Sequence, residues 1–336
     1  MRTEKAETIE PPLNPEELIL VEYKNAGIDM LSRELISSLD EQESKPIAYT
    51  HELWYSKTKT MLPSIISSEI GIDPKEITML STSIDVLWTL SVMVDDIYDQ
   101  DTHRRSKPAA WTVFGAEQTY KSAQAGFEDV LQILAKHYGV KSAQLCKSSV
   151  ERGLQSIKDH KFIELSCGFN QLVENYGNRD AFFARFPFEA LSIQYPESAK
   201  QLEDSAIALE KYYFAGQIGN DLDDMFKEVN GNCRYSDVKS GLVTVPTRIL
   251  WEKMTESDKE SFLEIFDTKE LTEIQNVILN QLKYKYSVFD RSFEKIVESY
   301  TESIKILQPI LREPTLEIFN GLCKSQLQKF SKYKAL

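Results

Sequence analysis

At 336 residues with 42% hydrophobic content, the chain is long enough to bury a large core as one domain or two. Its 39 basic and 52 acidic residues give a formal charge of −13 with no basic stripe, which argues against nucleic acid or an anionic membrane surface as a partner. The four cysteines, Cys146, Cys167, Cys233 and Cys323, show no CxxC spacing, so neither a disulfide framework nor a zinc site is indicated, and a cytoplasmic location fits.

Residues 1–15 are charged, hold Pro11, Pro12 and Pro15, and read as a disordered leader ahead of a single domain over 16–336. From Leu18 onward the apolar spacing is helical, as in Ile28–Leu31–Leu35, Val130–Leu131–Ile133–Leu134 and Ile274–Val277–Ile278–Leu282. Prolines such as Pro46, Pro63, Pro74, Pro187, Pro246 and Pro314 are expected at breaks between helices. No Gly/Ser-rich linker or repeat divides the chain. No stretch approaches the roughly 18–20 apolar residues of a membrane span. The expectation is an all-α, single-domain antiparallel helical bundle with a central cavity.

Two acidic clusters, about 120 residues apart, stand at the ends of apolar helical runs: Asp95-Asp96-Ile-Tyr-Asp99-Gln-Asp101, and Asn220-Asp221-Leu-Asp223-Asp224 followed by Lys227 and Glu228. On a helix Asp95 lies over Asp99, and Asn220, Asp224 and Glu228 form a second row. Carboxylates stacked this way repel one another, and a cation among them removes that cost. Hard oxygen donors suit Mg2+, which commonly bridges carboxylates to a substrate diphosphate. The run Val86–Val94 and the stretch Tyr212–Ala215 are apolar nearly all round, so the helices delivering these carboxylates are expected to be buried, where charge must be paired or bind metal. The two clusters are expected to face each other across the mouth of the cavity.

These residues resemble the trans-isoprenyl diphosphate synthase and class I terpene synthase superfamily. Asp95-Asp96-Ile-Tyr-Asp99 looks like its first aspartate-rich motif, followed by the paired Arg104 and Arg105. Gln217-Ile-Gly-Asn220-Asp221-Leu-Asp223-Asp224, with Ser236-Asp237-Val-Lys239 downstream, is similar to the second. The resemblance covers residues 18–330 and implies the isoprenoid synthase type I fold, a homodimer, an allylic prenyl diphosphate substrate and Mg2+ held by Asp95, Asp96, Asp99, Asn220, Asp221, Asp224 and Glu228. Arg104 and Arg105 would grip diphosphate with planar forks. Aromatic faces would hold a carbocation, with Trp88, Phe182, Phe183, Tyr212, Tyr213 and Phe214 as candidates.

The chain departs from the elongating synthases where they bind isopentenyl diphosphate. Their Gly-Gly-Lys-Arg-x-Arg-Pro phrase corresponds to Lys57-Thr58-Lys59-Thr60-Met61-Leu62-Pro63, which keeps Lys59 but neither arginine, and their histidine is Trp88. Their Lys-Thr pair falls at Asn178-Arg179, and the lysine of a downstream phrase at Leu242. Asn220, Asp224 and Glu228, with Lys227, resemble instead the metal-binding triad of microbial terpene synthases, with Asp224 in place of serine, and Arg179 matches their diphosphate-sensing arginine. The expected function is a terpene synthase acting on a prenyl diphosphate of fifteen or twenty carbons, with Trp88 as a floor to the cavity. The rivals are a prenyltransferase, elongating or acting on another acceptor, and a non-catalytic subunit.

Overall fold

In the computed structural model, residues 14–53, 57–229 and 232–335 are described. Most of the expected leader, residues Asn230 and Gly231 and the Phe182 side chain fall outside them. Asn14 caps α1 (Pro15–Asn25), its side chain accepting from the Glu17 amide while Glu17 returns the bond, so helix begins at the last residue of the expected leader. The chain continues through α2 (Ile28–Ser37), α3 (Glu41–Glu52), α4 (Thr58–Glu69) and α5 (Pro74–Tyr98). After a two-residue hairpin, β1 (His103–Arg104) with β2 (Lys107–Pro108), come α6 (Ala110–Phe114), α7 (Ala116–Tyr138), α8 (Val140–His160), α9 (Phe169–Ala184), α10 (Phe186–Gln194) and α11 (Ala199–Phe226). A second hairpin, β3 (Glu228–Val229) with β4 (Asn232–Cys233), precedes α12 (Ser236–Lys239), α13 (Val245–Lys253), α14 (Glu256–Leu263), α15 (Glu273–Lys285), α16 (Val288–Leu307) and α17 (Glu313–Ser331). The all-helical bundle is the expected fold.

Prolines start α1, α5, α10, α13 and α17, where the missing N–H is not needed. Pro46 and Pro63, expected at breaks, lie instead inside α3 and α4. Pro46 leaves the Gln42 carbonyl without its helical donor, and Gln118 Nε2 on α7 supplies one at 2.9 Å. A packed neighbour thus replaces the bond that would otherwise have ended the helix.

The two helices that carry the acidic clusters are central. α11 packs along α16, where Ser303 Oγ donates to the Ala208 carbonyl at 2.7 Å, and α5 packs along α7. Among the described helices α5 alone is long and apolar enough to cross a membrane, a departure from the sequence expectation, but 72% of its most apolar window is buried inside the bundle. Three of its buried hydroxyls bond back to its own carbonyls, Thr82 to Thr78, Ser83 to Met79 and Thr89 to Asp85, while the buried Ser81 Oγ finds no partner among the described residues.

Candidate active site

α5 stops just beyond the first cluster. Gln100 takes a left-handed conformation, φ 57°, and the Asp101 amide donates back to the Asp96 carbonyl at 2.9 Å. Asp95, Asp96 and Asp99 therefore crowd the last turn and cap, where the helix dipole already places negative charge. Asp96 is 2% exposed and accepts from Arg104 Nε at 2.8 Å; Arg104 Nη2 closes on the same oxygen and stands 3.7 Å from Asp95 Oδ2. Arg105 and Ser106 form the hairpin turn, both at positive φ, which fixes Arg104 on the strand facing α5. Burial raises the Asp95 and Asp96 carboxyls above the ordinary carboxylate range, against the pull of nearby guanidinium groups. Asp99 is pushed up to about 6 by burial of its surroundings and by the Asp95 charge, although its own side chain reaches solvent, which tempers the effect.

The second cluster also meets a helix end, sooner than the expected row of three requires. α11 closes at Phe226, Lys227 is extended with ψ 114°, and Glu228 begins β3 as an exposed residue. The ladder of Asn220, Asp224 and Glu228 is therefore broken after Asp224: a side chain on an extended strand leaves the helical row. Asp221 is 5% exposed, accepting from Tyr176 Oη at 2.6 Å and from Gln217 Nε2 at 3.0 Å. Asp224 accepts from the amides of Ser236 and Asp237, each at 3.1 Å, and from the Ser236 hydroxyl. These bonds fold the α12 loop back over the cluster and bring in Asp237, a residue the sequence reading did not select. Burial and the charges of Asp221 and Asp224 hold the Asp237 carboxyl well above its usual range.

Arg179 on α9 lies between the clusters, its charge acting on Asp95 and Asp99 on one side and on Asp221 and Asp237 on the other. Its Nη1 sits 3.3 Å from His160 Nδ1, while His160 Nε2 meets the Val243 carbonyl at 2.8 Å, which assigns the ring proton to Nε2 and leaves Nδ1 to accept from Arg179. Below this mouth is a cavity of about 940 Å³, within the range of small-molecule sites. Asp95, Arg104, Arg105, Arg179, Gln217 and Asn220 share its lining, and Lys59 and Trp88 lie on its wall. Leu90 and Ser91 line it too. Lys227, Lys239 and Phe214 are not brought to this wall; Phe214 packs against Tyr176 and Phe169, behind the second cluster. A smaller groove of about 470 Å³ against α8 and α9, lined by Arg152, Asp159 and Glu174, contains neither cluster.

The family model described as polyprenyl synthetase matches residues 58–281, well over half of the chain and both acidic clusters. The chain belongs to the polyprenyl synthetase family. It is 30% identical over 115 residues to Geranylgeranyl pyrophosphate synthase A of Phomopsis amygdali, a match covering 33% of this chain and 30% of that protein. A sesterterpene synthase of Colletotrichum orbiculare is 29% identical over 91 residues, covering 27% of this chain and 13% of that protein. Each match thus spans less than a third of the relative's own length. A decaprenyl diphosphate synthase from Rhodobacter capsulatus superposes with a TM-score of 0.80 at 13% identity, over 94% of this chain and 99% of that chain. A polyprenyl synthase from Caulobacter crescentus, solved with calcium and isoprenyl diphosphate, gives 0.76 at 15% identity, over 94% and 99%. These structures share the fold.

In this member of the family, Asp95, Asp99, Asp221, Asp224 and Asp237 fit a divalent cation in one respect above all. All five are oxygen donors; desolvation raises the carboxyls of Asp95, Asp99, Asp221 and Asp237 above the ordinary range, and the charge of Asp224 acts on Asp221 and Asp237. Among the described residues no three acidic, histidine or cysteine side chains are already close enough to chelate one ion. Asp95, Asp221 and Asp224 are instead held by Arg104, by Tyr176 with Gln217, and by the Ser236–Asp237 amides.

Proposed function

We propose that this member of the polyprenyl synthetase family ionises an allylic prenyl diphosphate of fifteen or twenty carbons and cyclises or quenches the cation, as a class I terpene synthase. The segment Lys57–Pro63 carries this reading. Thr60 and Leu62, at the positions where the resemblance places arginines for isopentenyl diphosphate, are 1% and 2% exposed. The Thr60 hydroxyl donates to Asp85 Oδ1 at 3.0 Å, and the Lys57 ammonium stands 2.9 Å from the same oxygen. Two core positions without a cation, beside a Lys57 already paired with Asp85, offer little to a second diphosphate.

Asp95, Asp99, Asp221, Asp224 and Asp237 would hold Mg2+, which when bound supplies charge to the departing diphosphate. Arg104, Arg105 and Arg179 reach the same mouth and would orient its oxygens by charge-assisted hydrogen bonds. The carbon–oxygen bond breaks with its electron pair leaving on diphosphate. The remaining positive charge lies in a cavity walled by Trp88, Phe183 and Tyr213, whose ring faces favour a cation and whose packing excludes water. Loss of a proton or addition of water then ends the reaction.

The relatives named as geranylgeranyl pyrophosphate synthases favour a second reading, chain elongation. The deciding experiment incubates the protein and Mg2+ with geranyl, farnesyl or geranylgeranyl diphosphate, each with and without isopentenyl diphosphate. Hydrocarbon or alcohol from one allylic substrate alone is the expected product. A longer prenyl diphosphate, formed only when isopentenyl diphosphate is added, overturns the terpene synthase reading.

A further inference from the structure

Inside the cavity, the Lys59 ammonium stands 4.1 Å from the centroid of the Trp88 ring, 4.6 Å from that of Phe183 and 5.2 Å from that of Tyr213. Four helices, α4, α5, α9 and α11, each supply one of these groups, and all four side chains line the cavity. Trp88 and Phe183 meet edge to face at 4.7 Å, so two walls of the arrangement hold each other in place. Lysine side chains ordinarily lead their charge out to water. This one leads it inward, onto the negative faces of three rings, which is the geometry that receives quaternary and other organic cations.

We propose that Trp88, Phe183 and Tyr213 form a receptor for an organic monocation, that the Lys59 ammonium is its resident occupant, and that Lys59 thereby governs where positive charge is held in the cavity. This rests on the ionisation reading, because the organic cation would be the one formed from the substrate. Two like charges cannot share a site of this size without strong repulsion in a low-dielectric wall. Lysine has a flexible four-carbon stem, and the Asp95 carboxylate, whose charge already interacts with Lys59, lies on the side where diphosphate would arrive. Diphosphate binding then draws the ammonium toward the mouth, and the vacated rings receive the cation released by ionisation. Substrate binding and cation holding are coupled through one side chain.

The test measures binding of benzyltrimethylammonium to the full chain by calorimetry, with and without Mg2+ plus inorganic diphosphate. The wild type should bind it weakly alone and more tightly with Mg2+ and diphosphate. Lys59→Met should bind it roughly tenfold tighter or more without diphosphate. Lys59→Arg, which keeps the charge, should show no gain, and Trp88→Leu in the Lys59→Met background should erase it. Equal affinity in wild type and Lys59→Met, with both folded by circular dichroism, overturns the proposal, as does a gain that survives Trp88→Leu. Binding is read without turnover, so the two readings fail separately. The expected binding pattern with no allylic diphosphate consumed would overturn ionisation and leave the receptor standing; normal ionisation with no effect of Lys59 on binding would overturn the receptor alone.

Discussion

The Tyr333 hydroxyl donates to Asp223 Oδ1 at 2.7 Å, tying the end of the chain to the middle of the second acidic cluster. Lys329 and Lys332 add their charges at 3.7 and 3.9 Å, so Asp223 faces the C-terminal end of α17 and the turn after it, and it is not among the cavity's lining residues. The three aspartates of Asn220-Asp221-Leu222-Asp223-Asp224 on α11 are thus divided by the helical turn. Asp221 and Asp224 meet Tyr176 and the α12 loop, while Asp223 latches the C-terminal helix.

Steady-state kinetics on single variants should separate these roles. Asp221→Asn and Asp224→Asn should lose turnover by orders of magnitude, whereas Asp223→Asn should keep most of it and lower thermal stability by about 1 kcal/mol. Glu228→Ala should be nearly silent, because α11 ends before it. A loss at Glu228 as large as at Asp224 would restore the three-residue metal row.

A second expectation concerns Asp85, 1% exposed on α5. It accepts from Tyr23 at 2.7 Å and Ser32 at 3.0 Å, meets His51 Nε2 at 2.8 Å, and holds Lys57 and Thr60 on its other oxygen. One carboxylate therefore joins α1, α2, α3 and α5 to the start of α4. Asp85→Ala would strand the buried Lys57 charge and should cost about 3 kcal/mol or more in denaturant unfolding. Although burial pushes the Asp85 carboxyl up, the His51 and Lys57 contacts win and hold it below its usual range. Its stabilisation is thus present above the unfolded pKa of about 3.9 and is lost as pH falls below it. Asp85→Asn should flatten this acid limb.

Asp99 should show the opposite sign. Its folded pKa of about 6 lies above the ordinary value of about 3.9, so between these pH values the folded protein holds more protons than the unfolded chain. At this site stability falls as pH rises from about 4 to about 6 and is level above that. In metal-free protein the difference in melting temperature between Asp99→Asn and wild type should therefore be largest above pH 6 and vanish near pH 4. Added Mg2+ should raise the wild-type melting temperature at pH 7.5 and much less at pH 5.5, where protons compete for the carboxylate. A magnesium effect independent of pH would remove Asp99 from the metal site.

Asp95, Asp96 and Asp99 were legible in the sequence because an acidic repeat followed a run too apolar to lie on a surface, and both features are local. Lys59, Trp88 and Arg179 were placed on one cavity only by resemblance, yet the packing does bring them together. Asp237 escaped because its partner Asp224 is 13 residues away across a loop, and no periodicity links them. The expected helical row through Glu228 breaks for the converse reason. Nothing in Met225-Phe226-Lys227-Glu228 marks a stop; the helix ends there because the chain turns back to pair Glu228 with Cys233. The Asp85 knot needs residues 25 to 62 positions apart, which only the tertiary fold supplies.

The last prediction concerns Arg104 and Asp96. Arg104 is bound to the first cluster in this structure, so the residue expected to grip diphosphate is also the counter-ion of a carboxylate that is 2% exposed. Arg104→Ala should therefore harm the fold as well as the chemistry, leaving Asp96 buried without its donor at a cost of about 2 kcal/mol. Lysine cannot reproduce the fork that places Nε and Nη2 on one oxygen, so Arg104→Lys should recover only part of this stability. Adding Asp96→Asn to Arg104→Ala removes the stranded charge and should restore most of the stability while turnover stays low. Denaturant unfolding of the four proteins, set against their rates of diphosphate release, separates the two effects. If Arg104→Ala is as stable as wild type, the ion pair contributes nothing to the fold; if the double variant regains turnover, Arg104 serves the fold alone and diphosphate is held by other groups.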